Sequence, residues 1–175
     1  MRKLLTAAGL ASSAVAVGVL MASPAAAWSA TSQFDVTFPG ARPKTTYIVD
    51  NNGAANLDQG DFQAKSVVYW KLAVDQIGDH STRFASFKIT TRAEARLGPS
   101  EADEVITKKT CDLTAMVNDN PFWAYDTAAN TCAAPSRVYD GELWWSADAT
   151  IVYDIVGDDK GAITQELQGT ALVHG

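Results

Sequence analysis

The clearest pattern in the chain is an alternation of apolar and polar residues near its C-terminal end. From residue 143 to residue 155 every second position is apolar, which places Trp145 and Tyr153 in the apolar phase. After a glycine- and aspartate-rich turn at 157–161, a second run has its apolar residues in one phase: Ile163, Leu167, Ala171 and Val173. A period of two is typical of strands with one buried face. The sequence therefore predicts a long β-hairpin over 142–173, with Trp145 and Tyr153 in the core.

Earlier stretches show the same pattern over shorter lengths. The sequence predicts strands over 34–38, 45–49, 66–75 and 82–90. We expect the last two to pair as a second hairpin through a turn at 76–81. Phe84 is out of phase with Phe87 and Ile89, which indicates either a β-bulge or an aromatic ring on the outer face.

The segments between these strands have weaker signals. Residues 28–33 are expected to be a flexible lead-in, and the Gly-, Asn- and Asp-rich stretch 50–61 is expected to be a loop. The spacing of Thr91 and Glu94 fits a capping box, which predicts a helical turn over 91–97. Residues 100–107 suit a helical turn and a strand equally.

Strands joined by short turns, with little helix between them, favour antiparallel sheets over βαβ units. The sequence predicts an all-β, antiparallel β-sandwich with at most one or two short helical turns. A closed antiparallel β-barrel is the alternative, because both architectures suit six to eight strands.

The N-terminal residues have the features of a targeting segment. Arg2 and Lys3 precede an apolar stretch, and three alanines at 25–27 form a small-residue cleavage site. This predicts a secretory signal peptide over 1–27 and a single secreted β domain over 28–175. A retained membrane anchor is the alternative. The short, alanine-rich segment also suggests a bacterial origin.

The chain has two cysteines, Cys111 and Cys132. In an exported chain an even pair predicts a disulfide. A metal site would need further Cys or His ligands nearby, and a redox pair is usually C-x-x-C. Residues 111–135 are expected to be a loop-rich excursion that the disulfide holds to the body of the domain.

Charge narrows the classes of partner. The formal net charge is −6 for the whole chain, and removal of Arg2 and Lys3 with the signal peptide makes it more negative. Nucleic acids and anionic membranes attract basic surfaces. We therefore expect no nucleic-acid partner, and no membrane partner after signal cleavage.

No catalytic motif is evident. Asp79, His80 and Ser81 are adjacent in a predicted turn, where neighbouring side chains point apart, and no G-x-S-x-G elbow is present. Glu142, Asp148 and Asp154 share a phase of one strand, but at ~3.3 Å per residue neighbouring members are ~20 Å apart, too far for a glycosidase pair. No catalytic residue is assigned.

Calcium is the best metal candidate, through the oxygen-rich residues Asp50, Asn52, Asp58 and Asp61. The stretch lacks the distal Glu of an EF-hand loop, and the glycines at 157–161 suit a hairpin turn. No metal ligand and no cofactor is assigned.

Aromatic residues in positions that the core does not require are the remaining signal. Trp144 lies in the polar phase of the predicted C-terminal strand, and Trp123 and Tyr125 lie between the two cysteines. Exposed aromatic rings form stacking surfaces for sugars and hot spots for protein partners. These three residues are the candidate ligand-binding residues, unless a neighbouring loop covers Trp144.

The sequence thus predicts a secreted, non-catalytic binding or interaction module for a protein or a glycan. The alternative is a secreted enzyme, a hydrolase or a barrel-type isomerase or cyclase, whose carboxylates and tyrosines converge only in three dimensions. A structural or cell-envelope protein without a small ligand is the third possibility.

Overall fold

In the computed structural model, the described residues are 26–73, 79–119 and 128–175. They contain a short helix, α1 (Thr114–Asp119), and a 3₁₀ turn (Ala128–Asn130). Their strands are β1 Ala26–Val36, β2 Thr45–Asn56, β3 Asp61–Leu72, β4 Phe84–Arg96, β5 Glu104–Asp112, β6 Thr131–Ala133, β7 Arg137–Val138, β8 Trp144–Ile155 and β9 Ile163–Glu166. Apart from Ala26 and Ala27, which begin β1, the predicted signal peptide lies outside the described residues.

The strands form two antiparallel sheets that pack face to face, which confirms the predicted sandwich. Sheet A has the order β1-β2-β3-β6, with β7 also paired to β3, and sheet B has the order β5-β4-β8-β9. In β2 and β8 the odd-numbered residues point between the sheets, and the even-numbered residues form the outer faces. Trp145 and Tyr153 are buried as predicted.

The C-terminal hairpin is confirmed, although its second strand is short. The turn at 157–161 has positive φ at three residues, Gly157, Asp159 and Gly161. β9 ends at Glu166, and the chain then follows β8 through separate backbone bonds, including a bridge between Trp145 and Val173. Leu167 and Val173, which continue the alternation, therefore still pack inward, whereas Ala171 is exposed.

Four predictions for the middle of the chain are wrong. Residues 28–33 belong to β1, most of 50–61 belongs to β2, and 91–96 belong to β4 and not to a helix. The strands β3 and β4, predicted to pair, lie in different sheets. In the first three cases, backbone pairing with the adjacent strands of the sheet overrides a local signal. The phase break at Phe84 is a β-bulge, since the register of β4 against β8 shifts between Phe84 and Ser86.

A belt of buried polar residues divides the core into two parts. Ser66 donates a hydrogen bond to Asn51 Oδ1 at 2.8 Å, and Thr91 donates to Ser66 at 2.8 Å. Asn51 Nδ2 also donates to the carbonyl of Gln168 at 2.8 Å. One apolar cluster, around Tyr47 and Phe87, lies on one side of this belt, and a second, around Phe62 and Trp145, lies on the other. Each buried group in the belt has a partner, so burial carries little desolvation penalty.

The two open sides of the sandwich are closed differently. The Cys111–Cys132 disulfide joins β5 of sheet B to β6 of sheet A, with the Cα atoms 5.8 Å apart, as the sequence predicts. On the opposite side, the segment after β9 bonds to both sheets, because the backbone N–H of Gln168 donates to Ser32 Oγ at 2.7 Å and that of Thr170 donates to the Ala147 carbonyl at 2.9 Å. These connections fix how the sheets face each other.

Candidate functional site

Of the three predicted ligand-binding residues, the structure describes one. Trp144 begins β8, lies on the outer face of sheet B and is half-buried. The ring of His174 stacks on it, with the ring centroids 4.5 Å apart and the planes 30° apart. Trp144 is thus partly covered by the C-terminal segment. Trp123 and Tyr125 lie outside the described residues.

Asn118 precedes Trp123 and Tyr125 in the sequence, and it lies at the opposite end of sheet B from Trp144. The Asn118 side chain accepts hydrogen bonds from the backbone of Arg83 and Phe84, at the start of β4. Trp144 is paired with Arg96, at the end of β4. Twelve residues of strand separate Phe84 from Arg96, about 40 Å at ~3.3 Å per residue. A joint patch of all three aromatics stays a prediction.

An ionic network occupies the outer face of sheet B next to Trp144. The guanidinium of Arg92 bonds to Glu94 at 2.7 Å, to Asp148 at 3.1 Å and to the Thr150 hydroxyl at 2.5 Å. Glu166 is 3.9 Å away on the neighbouring strand. Burial raises the pKa of Glu94, although the hydrogen bond from Arg92 opposes this effect. The nearest carboxylates are therefore already partnered by a cation, which suits a structural network.

A second polar surface lies on the opposite side of the molecule. The outer face of sheet A carries a groove of about 230 Å³ that crosses β1, β2 and β3. The cross-strand register forms it, because Thr31, Asp50 and Val67 are direct neighbours, as are Ser29, Asn52 and Lys65. The lining residues are Ser29, Thr31, Asp50, Asn52, Lys65, Val67 and Tyr69.

The groove has a polar rim and a small apolar floor. Thr31 Oγ1 donates a hydrogen bond to Asp50 Oδ1 at 2.6 Å, and Asn52 Nδ2 donates to the Asp50 carbonyl at 3.1 Å. Val67 is buried although it lies on the outer face, and the ring of Tyr69 is half-buried beside it. Of the two hydrogen bonds, the first holds the Asp50 carboxylate, and the second holds the Asn52 amide against the backbone of β2.

The polar groups in the groove include hydrogen-bond donors, hydrogen-bond acceptors and groups that can do both. One carboxylate, Asp50, and one ammonium group, Lys65, carry opposite charges, and the remaining polar groups are hydroxyls and an amide. Such a set can both donate to and accept from ligand hydroxyls. The half-buried Tyr69 contributes a further hydroxyl to this set.

Sequence reasoning missed this groove because it assigned four of its seven lining residues to irregular segments. Ser29 and Thr31 fell in the expected lead-in, and Asp50 and Asn52 in the expected loop. The alternation of β2 does continue through Asn51, Gly53 and Ala55, all of which are buried. Polar and small residues in the buried phase hid that pattern.

The calcium candidates do not come together. Asp50 pairs with Val67, whereas Asp61 pairs with Asn56 at the end of the same sheet, six positions along β2 and about 20 Å away at ~3.3 Å per residue. Across the described ranges, no three His, Cys, Asp or Glu side chains form a group able to hold a metal ion. His80 is exposed next to a buried Asp79 whose carboxylate accepts from Ser81, a local turn contact.

No helix within 26–73, 79–119 or 128–175 is long and apolar enough to cross a membrane. In comparisons with known proteins, no family model, curated protein or solved structure matches the chain.

Proposed function

We propose that this protein is an exported, non-catalytic module that binds a neutral glycan in the groove on sheet A. The observation that carries the proposal is the juxtaposition of Asp50, Asn52 and Lys65 with the hydroxyls of Ser29 and Thr31 in the groove. A carboxylate, an amide, an ammonium group and hydroxyls are the groups that bond to sugar hydroxyls. The buried disulfide is compatible with an oxidising compartment.

The charge of the chain favours a neutral ligand. The groove contains one acidic and one basic side chain, so its formal charge sums to zero, whereas the chain as a whole carries −6. An anionic polymer would meet long-range repulsion from this protein. A neutral oligosaccharide would meet none, and its hydroxyls would replace the water that solvates the rim.

A glycan fits the groove better than a protein partner. Protein interfaces have an apolar centre, with aromatic residues enriched and charged residues depleted. This groove is lined mostly by polar atoms and has one half-buried aromatic ring. Sheet faces also hold their side chains at fixed spacings, which suits a ligand of repeating units.

The first test is binding to immobilised neutral oligosaccharides: hexamers of β-1,4-linked glucose, xylose and N-acetylglucosamine. We expect at least one to bind, and Asn52→Ala and Lys65→Ala each to weaken its binding about tenfold through a lost hydrogen bond. Gln63→Ala is the matched control, because Gln63 is exposed on the same face of β3 but outside the groove. Equal loss in all three variants, or no binding by wild type, contradicts the proposal.

A further inference from the structure

Strand β1 lies at the edge of sheet A with one side open. Among the described strands it pairs with β2 alone, and it does so along all 11 of its residues. At ~3.3 Å per residue, the open side presents backbone N–H and C=O groups over about 36 Å. Such an edge is a template for pairing with another strand.

The other described edges are protected against pairing, and β1 is not. β6, β7 and β9 have three, two and four residues. β5 is longer but contains four charged side chains, of which two are lysines. β1 has no proline and no lysine, and its one charged residue, Asp35, is paired with Lys44 at 2.7 Å. Short length, proline and lysine, three of the usual devices that block edge-to-edge association, are therefore missing from this strand. The segment after β9 contacts the Ser32 side chain and not the backbone of β1.

We propose that β1 pairs antiparallel with β1 of a second copy of this chain, which joins the two A sheets into one continuous sheet across a two-fold axis. A register centred on Thr31 places Ser29 opposite Gln33 of the second copy. It also places Trp28 of each copy opposite Phe34 of the other copy. Both rings are half-buried and lie on the inner face of sheet A. Cross-strand aromatic pairs stabilise a sheet.

The same register avoids like-charge contact. Asp35 of each copy lies opposite the small residue at position 27, at opposite ends of the paired strands. An interface that is its own complement in this way is the isologous type that two-fold dimers use. The inference rests on the strand edge and not on the groove, so the two proposals can fail separately.

Sedimentation velocity of the purified chain over a range of concentrations tests the dimer. We expect a concentration-dependent monomer–dimer equilibrium. In the proposed register, the double variant Ser29→Lys with Gln33→Lys places a lysine of one copy directly opposite a lysine of the other copy, at two symmetry-related positions. This variant should therefore dimerise about tenfold more weakly. Each single variant, and Gln63→Lys on the same face of β3, should change the dimer constant by about twofold at most, because no like charges then meet.

A crosslink tests the register. Thr31 is exposed and would face its own counterpart, and directly opposite residues in antiparallel strands have Cα atoms ~4.5–5.5 Å apart, within disulfide range. Under mild oxidation, Thr31→Cys should form a covalent dimer, and Gln63→Cys should not. A monomer at all concentrations, or a dimer unaffected by the lysine pair and not captured by Thr31→Cys, overturns the proposal.

Discussion

Trp144 and His174 stack on the outer face of sheet B, with their ring centroids 4.5 Å apart. His174 comes from the last residues of the described chain, which the backbone bridge between Trp145 and Val173 holds against β8. The stack explains why a tryptophan in the polar phase of β8 is half-buried. It also links the C-terminal segment to the sheet through side chains as well as backbone.

We expect this stack to contribute measurably to stability. A double-mutant cycle of Trp144→Ala and His174→Ala should give a coupling free energy of about 0.5–1 kcal/mol, the range for aromatic pairs at partly exposed positions. The measurement is urea unfolding of the four proteins. The control is a second cycle in which His80→Ala takes the place of His174→Ala. His80 precedes β4 at the opposite end of sheet B, so its coupling to Trp144 should be close to zero. Equal coupling in both cycles would contradict the stack.

The buried polar belt should be sensitive to the loss of its central hydroxyl. Ser66 bonds both Asn51 and Thr91, and all three side chains are buried. Ser66→Ala leaves Asn51 Oδ1 without that donor, and we expect a loss of about 1–3 kcal/mol in the free energy of unfolding. Ser29→Ala, which changes an exposed hydroxyl, should cost under about 0.5 kcal/mol. If the two losses are the same, the belt is not a structural element.

Gly53 is required by the packing between the sheets. A Cβ atom at this position would lie 3.0 Å from Phe62 Cζ and 3.3 Å from Ala147 Cβ. We expect Gly53→Ala to destabilise the fold by about 1–2 kcal/mol, because the cost of overpacking exceeds the stabilisation that comes from the lower entropy of the unfolded chain. Gly98→Ala, where the nearest atom is 3.7 Å away on the flexible Glu101 side chain, should be close to neutral. Thermal unfolding of the two variants compares them directly.

Glu94 gives the stability a specific pH dependence. Burial raises its pKa above the ordinary value of 4.5, so the folded state binds this proton more tightly than the unfolded chain. The contribution of Glu94 to stability therefore falls as the pH rises from 4.5 through the raised value.

Glu94→Gln removes this titration. Between about pH 4 and about pH 7, the unfolding free energy of wild type should decrease relative to that of Glu94→Gln, as measured by urea unfolding at each pH. Glu104→Gln, at an exposed position on β5, is the control. A wild-type protein that gains stability relative to Glu94→Gln over this range would show that the Arg92 ion pair outweighs burial.

The parts of the fold that could be predicted are those where local pattern and final burial agree. β8 was recognised because its buried phase is apolar without interruption. The second half of β2 was not, because Asn51 is buried through hydrogen bonds to Ser66 and Gln168, and Gly53 is buried to make room for Phe62. Both reasons depend on residues outside β2, namely Ser66, Phe62 and Gln168, and not on the local sequence of the strand.

Thr91 illustrates the other kind of error, in which a local pattern predicts a helical turn where the structure has a strand. With Glu94 it forms a local helix-start pattern, yet both residues lie in a strand that pairs on two sides, with β5 and β8. The candidate groove was equally hidden, since Ser29 and Lys65 come to lie on either side of Asn52 only through the register of β1, β2 and β3. A single sequence does not contain that register in any local form.

The central claim is that the outer face of sheet A binds a neutral glycan, and a titration followed by backbone amide NMR tests it most directly. Oligosaccharide hexamers of glucose, xylose and N-acetylglucosamine are added in turn to isotopically labelled protein. We expect the hexamer that binds to shift the amide signals of residues 29–31, 50–52 and 65–69. The amide signals around Trp144 and His174 should stay unchanged. Shifts centred on Trp144 and His174, or no shifts with any hexamer, would contradict the claim.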